Sequence, residues 1–188
     1  MDETIMQQII ISGVGGQGVL FVTRLLAEAA IKKRLAVFTS ETHGMAQRGG
    51  TVLSHLKVGN FSSPLIRPAP DGLLALRAEN LAQHGALLKD GGWVIVNGEN
   101  DAKNDNHQPL DTIDADTLAQ EMGNPKAVNL IVLGFALAMS EKKGENRNTL
   151  FCSLAEIQTV LEDRFGKNQK MLSASLKALE AGYNAKDK

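Results

Sequence analysis

The sequence has little of several things that would place it quickly. Of its 188 residues only one is cysteine, Cys152. One cysteine cannot close an internal disulfide, which excludes a small disulfide-built secreted scaffold. Nor can it hold an iron–sulfur cluster, which normally takes four thiolates. Aromatic residues make up 4%, too few to support base-stacking platforms for nucleic acid. Charge of one sign is also missing: 20 Lys and Arg stand against 21 Asp and Glu, a net charge of -1. That balance gives no electrostatic case for nucleic acid or a membrane surface as partner. No run approaches the ~20 apolar residues of a membrane span. The first residues, MDETIMQQIIISG, place no basic region before the apolar run, so the run is read as a strand and not as a leader. The expectation is a cytoplasmic protein.

What is present is ordinary for a globular chain: 43% hydrophobic and 22% charged residues. The length fits a single domain over 1–188, long enough to remove ~70% of the unfolded surface from water. The pattern alternates strand and helix. Residues 7–12 (QQIIIS) form a β-branched run that ends at a glycine cluster. From 19 to 33, apolar residues at Val19, Val22, Leu26, Ala29 and Ala30 make a helical stripe. Residues 35–40 (LAVFTS) read as the second strand, which completes a βαβ unit with the first strand and helix. Residues 51–58 (TVLSHLKV) read as another strand. Residues 61–71 hold three of the five prolines and form a loop. Residues 72–76 (GLLAL) and 93–97 (WVIVN) read as buried strands, with a helix over 78–88 between them. The polar stretch 98–108 reads as a surface excursion. Asp114 to Asp116 open a helix running to Met122, and 127–140 suits a buried helix. Ser153 with Glu156 forms a capping box for a helix to Phe165, and 167–183 reads as a last amphipathic helix. The expected fold is α/β: a Rossmann-like three-layer α/β/α arrangement with a mainly parallel sheet, right-handed crossovers and a helical C-terminal part from about 115 to 188.

Two motifs carry the chemistry. GVGGQG, with Gly13, Gly15 and Gly18 in the G-x-G-x-x-G pattern and Gly16 and Gln17 within it, follows a strand and opens a helix. Such a loop lets a phosphate approach backbone amides at a helix N-terminus. Glu41, at the end of the second strand, stands where a ribose-binding acid would. The same glycines are also explained by a tight turn and close helix–strand packing. The second motif, ETHGMAQRGG, places Glu41, His43, Met45, Gln47, Arg48, Gly49 and Gly50 in one loop at the carboxyl edge of the sheet, where open α/β sheets bind ligands and partners. Arg48 is a permanent cation able to fork onto a phosphate or carboxylate, and His43 titrates near neutrality. The plain alternative is a glycine-rich loop whose polar groups cap its own backbone.

GVGGQGVLFVTRLLAEAA followed by ETHGMAQRGGTVLSHLKVG resembles the gamma subunit, or gamma domain, of 2-oxoacid:ferredoxin oxidoreductases. The wording of the second motif is most like that of the small (beta) subunit of indolepyruvate oxidoreductase. The likeness continues through SPLI at 63–66, the LLAL and VIVN strands and GNP at 123–125, and thins after about residue 140. The resemblance implies a role in coenzyme A-dependent oxidative decarboxylation of a 2-oxoacid, with reduced ferredoxin as product. It implies that thiamine diphosphate, Mg2+ and the iron–sulfur clusters belong to catalytic partner chains. This sequence lacks the GDG…N pattern expected of a thiamine diphosphate and magnesium site. The resemblance also makes the two glycine-bearing loops the expected subunit face or a contact for coenzyme A as substrate. No catalytic residue and no metal ligand is assigned to this chain, which is expected to be inactive alone.

The remaining chemistry-bearing residues read plainly. His55 sits in a strand as a packed or edge histidine, while His84 and His107 are expected to be solvated. No His, Cys, Asp and Glu positions have metal-ligand spacing. Ser12 is no nucleophile, since G-x-S-x-G is absent. Lys32, Lys33 and Arg34 suit the end of a helix. Two other readings stay open: a free-standing NAD- or FAD-binding protein, and an interaction subunit with no ligand of its own.

Overall fold

The computed structural model describes residues 6–43, 50–63, 65–66, 68–98, 110–142 and 150–185. Its strands are β1 (Met6–Val14), β2 (Val37–His43), β3 (Thr51–Gly59), β4 (Gly72–Ala75), β5 (Trp93–Asn97) and β6 (Leu110–Ile113). Its helices are α1 (Val19–Lys32), α2 (Ala78–His84), α3 (Ala115–Glu121), α4 (Val128–Lys142), α5 (Leu154–Phe165) and α6 (Gln169–Asn184). Among the described residues, no helix is long and apolar enough to cross a membrane.

The six strands form one sheet in the order β2-β3-β1-β4-β5-β6. β1, β4, β5 and β6 pair in parallel. β3 is antiparallel to both of its neighbours, β1 and β2. The sheet is therefore mainly parallel, as expected, but the first βαβ unit is split. β1 and β2 point the same way and α1 connects them, yet β3 lies between them. A hairpin of β2 and β3 has been inserted beside β1, so no simple crossover joins adjacent strands there. The register Glu41–Ser54–Ile11 places Glu41 two strand spacings, roughly 10 Å, from β1.

Alternation along the strands sends side chains to opposite faces, and the two faces are covered unequally. Ile9, Ile11, Leu56, Leu74 and Ile95 pack with residues of α1, α3, α4, α5 and α6. Among the described residues, Ile10, Leu73, Ala75, Val94 and Val96 have Leu81 of α2 and the nearby Leu88 as buried apolar partners. α4 is apolar on all sides and buried from 128 to 139, as expected of a helix enclosed by others. It meets α6 backbone to backbone: a Cβ at Gly182 would stand 1.8 Å from the Ile131 carbonyl oxygen, so only glycine permits this approach.

Several elements differ from their expected bounds. β2 starts two residues and ends three residues later than the LAVFTS reading, because its register is set by pairing with β3. The helix expected over 78–88 ends at His84 and continues as a 3-10 turn, Gly85–Leu87. The sequence pattern predicts no element over 110–113; β6, only four residues long, is held by pairing with β5. The polar stretch after Gly98 lies mostly outside the described residues. The Ser153–Glu156 capping box is present, with Ser153 N–H donating to Glu156 Oε2 at 2.8 Å.

Candidate functional site

The carboxyl ends of β1 and β2 and the start of antiparallel β3 all lie at one edge of the sheet. Here β1 passes through the glycine turn into α1. The turn is held by its own atoms. Val14 N–H donates to the side-chain oxygen of Gln17 at 2.7 Å, and Gln17 N–H donates to the Val14 carbonyl at 3.0 Å. Gly15 N–H donates to the Gly50 carbonyl, also at 3.0 Å. Gln17 thus occupies part of the amide cradle that a phosphate would use, and Gly50 ties the two motifs together.

The glycines serve the turn and its packing. Gly18 is the N-cap of α1 with φ 83. A Cβ on it would stand 2.1 Å from Asn129 Nδ2, so α4 reaches the loop only because Gly18 lacks a side chain. Gly16, at φ 94, faces open space. Gly13 pairs with Val52, and a Cβ there would be 2.9 Å from Val19 Cγ2. Asn129 itself accepts from Leu130 N–H at 2.8 Å and is 7% exposed. Asn129 was not legible in the sequence: its signal is a buried amide in an otherwise apolar helix start.

Beside the loop opens a cavity of about 360 Å³. Val14, Val19, Leu20 and Val52 line it with the loop glycines. None of these side chains is charged. Among the described residues, the N-terminal end of α1 faces it, with no side-chain cap and no acid in its first turn. An apolar group fits this lining better than a pyrophosphate.

Glu41 and His43 belong to β2, not to a loop. Glu41 is exposed and pairs with Ser54, with β3 between it and β1. A dinucleotide fingerprint needs the acid-bearing strand next to the glycine strand. The inserted β3 breaks that geometry, and with it the case for a free-standing NAD- or FAD-binding protein. Met45, Gln47, Arg48 and Gly49 lie outside the described residues.

Two further features surround the edge. Asn97, 3% exposed at the end of β5, donates to the Leu76 carbonyl at 3.2 Å and to Asp116 at 2.8 Å, and accepts from Ala115 N–H at 2.9 Å. It locks the ends of β4 and β5 to α3. Beneath α2, His84 is half-buried, contrary to the solvated reading. Its Nε2 and the Nδ1 of His55 are buried and unpartnered among the described residues. Burial holds His55 below its ordinary range, with His84 adding to the effect, and burial likewise lowers His84.

The residues of this chain do not fit an iron–sulfur cluster. Cys152 is buried, and burial with the nearby Glu156 pushes its thiol up to about 12 against the pull of Lys33. Among the described residues, no three His, Cys, Asp or Glu side chains gather to hold a metal ion.

Comparison with known proteins agrees with this picture. The chain is 28% identical to indolepyruvate oxidoreductase subunit IorB of Archaeoglobus fulgidus over 94% of its own length and 93% of that protein. It is 34% identical to the subunit of the same name from Methanothermobacter thermautotrophicus, over 69% of this chain and 77% of the relative. Its fold matches the gamma subunit of a keto/oxoacid ferredoxin oxidoreductase from Geobacter sulfurreducens, with a TM-score of 0.74 and 23% identity over 95% of this chain and 96% of the other. It also matches part of the 2-oxoglutarate:ferredoxin oxidoreductase of Magnetococcus marinus, whose structure holds 2-oxoglutarate, coenzyme A and succinyl-CoA. That match has a TM-score of 0.77 and 22% identity, and covers 97% of this chain but 32% of that one. The profile of the pyruvate ferredoxin/flavodoxin oxidoreductase family matches residues 8–185, and the chain belongs to that family.

Proposed function

We propose that this chain is the gamma-type subunit of a 2-oxoacid:ferredoxin oxidoreductase, and that it supports coenzyme A-dependent oxidative decarboxylation carried out by partner chains. The carrying observation is the end-to-end match to small indolepyruvate oxidoreductase subunits. Indolepyruvate is accordingly the first 2-oxoacid to test. Thiamine diphosphate, Mg2+ and iron–sulfur clusters are assigned to the partners, and ferredoxin meets the complex through them. Support comes from the chemistry of this chain: it has one cysteine, and that one is buried, whereas clusters normally take four thiolates.

The docking face is assigned to the carboxyl edge, where the glycine turn and the β2–β3 connection meet. Three observations support this. Gln17 already occupies an amide of the turn. The glycines are accounted for by φ and packing. The cavity beside them is lined by apolar side chains, which suits a partner's apolar group. Arg48, in the same connection, is assigned to the rim of this face, where it meets an acidic group of the partner or a phosphate of coenzyme A. Copurification of the native complex, followed by assays with indolepyruvate, pyruvate, 2-oxoglutarate and 2-oxoisovalerate, tests the reading. A complex with thiamine diphosphate-bearing chains that turns over indolepyruvate fastest is expected. Recovery of the chain without any such partner would contradict it.

A further inference from the structure

The opposite edge of the sheet holds a second cavity, of about 320 Å³. It is built where strands begin and antiparallel β3 ends. Gln8 of β1, Lys57 of β3, Asp71 before β4 and Lys89 before β5 line it, with Met6 and Ala69. Lys57 is the unusual member. It lies on an inward register position opposite Gln8 and is 4% exposed. Its Nζ donates to the Ser63 carbonyl at 2.8 Å and the Leu65 carbonyl at 2.7 Å, and lies 4.8 Å from the centre of the Phe61 ring. Among the described residues it has no acid partner. An ammonium has three donors, and the two carbonyls take two of them.

The other charges do not balance it. Among the described residues Asp71 is the one acid in the lining, and it is already engaged: one oxygen meets Lys89 Nζ at 2.5 Å and the other accepts from Gln8 N–H at 2.7 Å. Two lysines and one carboxylate leave these described residues with one positive charge in excess. Buried charges are ordinarily paired, because desolvation without a counter-charge is costly. Carbonyl dipoles and an aromatic face offset part of this cost, but they carry no net negative charge. A water would take the third donor and leave the charge uncompensated.

We propose that this cavity is an oxyanion site, taking a carboxylate or phosphate group at Lys57 with Lys89 at its flank. The volume is at the lower end of small-molecule sites, and Met6 and Ala69 give the ligand a short apolar wall. The oxyanion comes either from a free small acid or from an acidic side chain of a catalytic partner. The first source does not rest on the assembly reading; the second does. The site is at the edge away from the glycine turn, so its ligand and the docking of that turn are separable.

The test uses the full chain, with melting followed in chloride, acetate and inorganic phosphate at matched ionic strength. A free anion predicts a saturable rise of about 3 °C in acetate or phosphate over chloride. Lys57→Met abolishes that rise and Lys89→Met reduces it, whereas a general salt effect would persist in both. A partner-borne oxyanion predicts no such rise in the isolated chain. It predicts instead that Lys57→Met weakens assembly with the catalytic chain about 30-fold. Where Lys57→Met does not fold, Lys89→Met together with the wild-type salt series decides both arms, since the Lys89 side chain is 36% exposed. No anion-specific rise together with unchanged assembly in the variants overturns the proposal.

Discussion

Gly18 shows how one position can satisfy a motif and a packing demand together. Its φ of 83 excludes an easy side chain, and Asn129 occupies the space a Cβ would need. Gly18→Ala is therefore expected to destabilise the chain by ~3 kcal/mol, against ~1 kcal/mol for Gly16→Ala, which meets only the conformational cost. Denaturant unfolding of both variants checks the order; equal losses would remove Asn129 from the account. Arg48 is expected to behave oppositely. On its proposed role as a partner or coenzyme A contact, its replacement by Ala should move the stability of the lone chain by no more than ~0.5 kcal/mol and should lower turnover of the complex. Arg48→Lys should restore part of that turnover if the contact is a bidentate fork. Melting of the subunit and turnover of the complex separate the roles: lost stability with unchanged turnover would make Arg48 a structural residue. At this scale the glycine pattern was legible, because it stands in six consecutive residues. Gln17 as a filler of the cradle was not, because its amide must fold back onto Val14 within the turn, and the place of Asn129 beside Gly18 was not, because it depends on where α4 packs.

Among the elements, α2 carries a sensitivity to mild acid. It covers the thinner face of the sheet, and His84 at its end stands over β3 near His55. Both histidines have pKa values held below their ordinary 6.5. The folded chain thus binds fewer protons than the unfolded chain once pH falls below 6.5, and stability drops with pH from there toward the lowered folded values. Replacing either histidine with Gln should flatten the fall in melting temperature between about pH 7 and pH 5.5. A slope unchanged in both variants would place the acid sensitivity elsewhere. The elements also show what a sequence pattern carries. The strand WVIVN and the Ser153–Glu156 cap were legible because each is specified by its own residues. The β2–β3 hairpin beside β1 was not, since strand order follows from pairing between distant segments. That insertion moved Glu41 away from the glycine turn and turned an apparent dinucleotide fingerprint into a different site. β6 was not legible for a related reason: LDTI is four residues without strand alternation, and it becomes a strand only against β5.

For the whole molecule, helices cover the two faces of the sheet unequally. The thick layer of α1, α3, α4, α5 and α6 forms the main core of the chain. The central claim is that this chain contributes to 2-oxoacid oxidation only when docked on catalytic partners through the edge bearing the glycine turn. The most direct measurement is a titration of the purified chain into its catalytic chains, with reduction of an artificial acceptor followed in the presence of indolepyruvate and coenzyme A. The account predicts no turnover by this chain alone, and a rate that rises with added chain to a stoichiometric plateau. Turnover by the isolated chain above background, or a catalytic partner whose rate is indifferent to it, would contradict the claim.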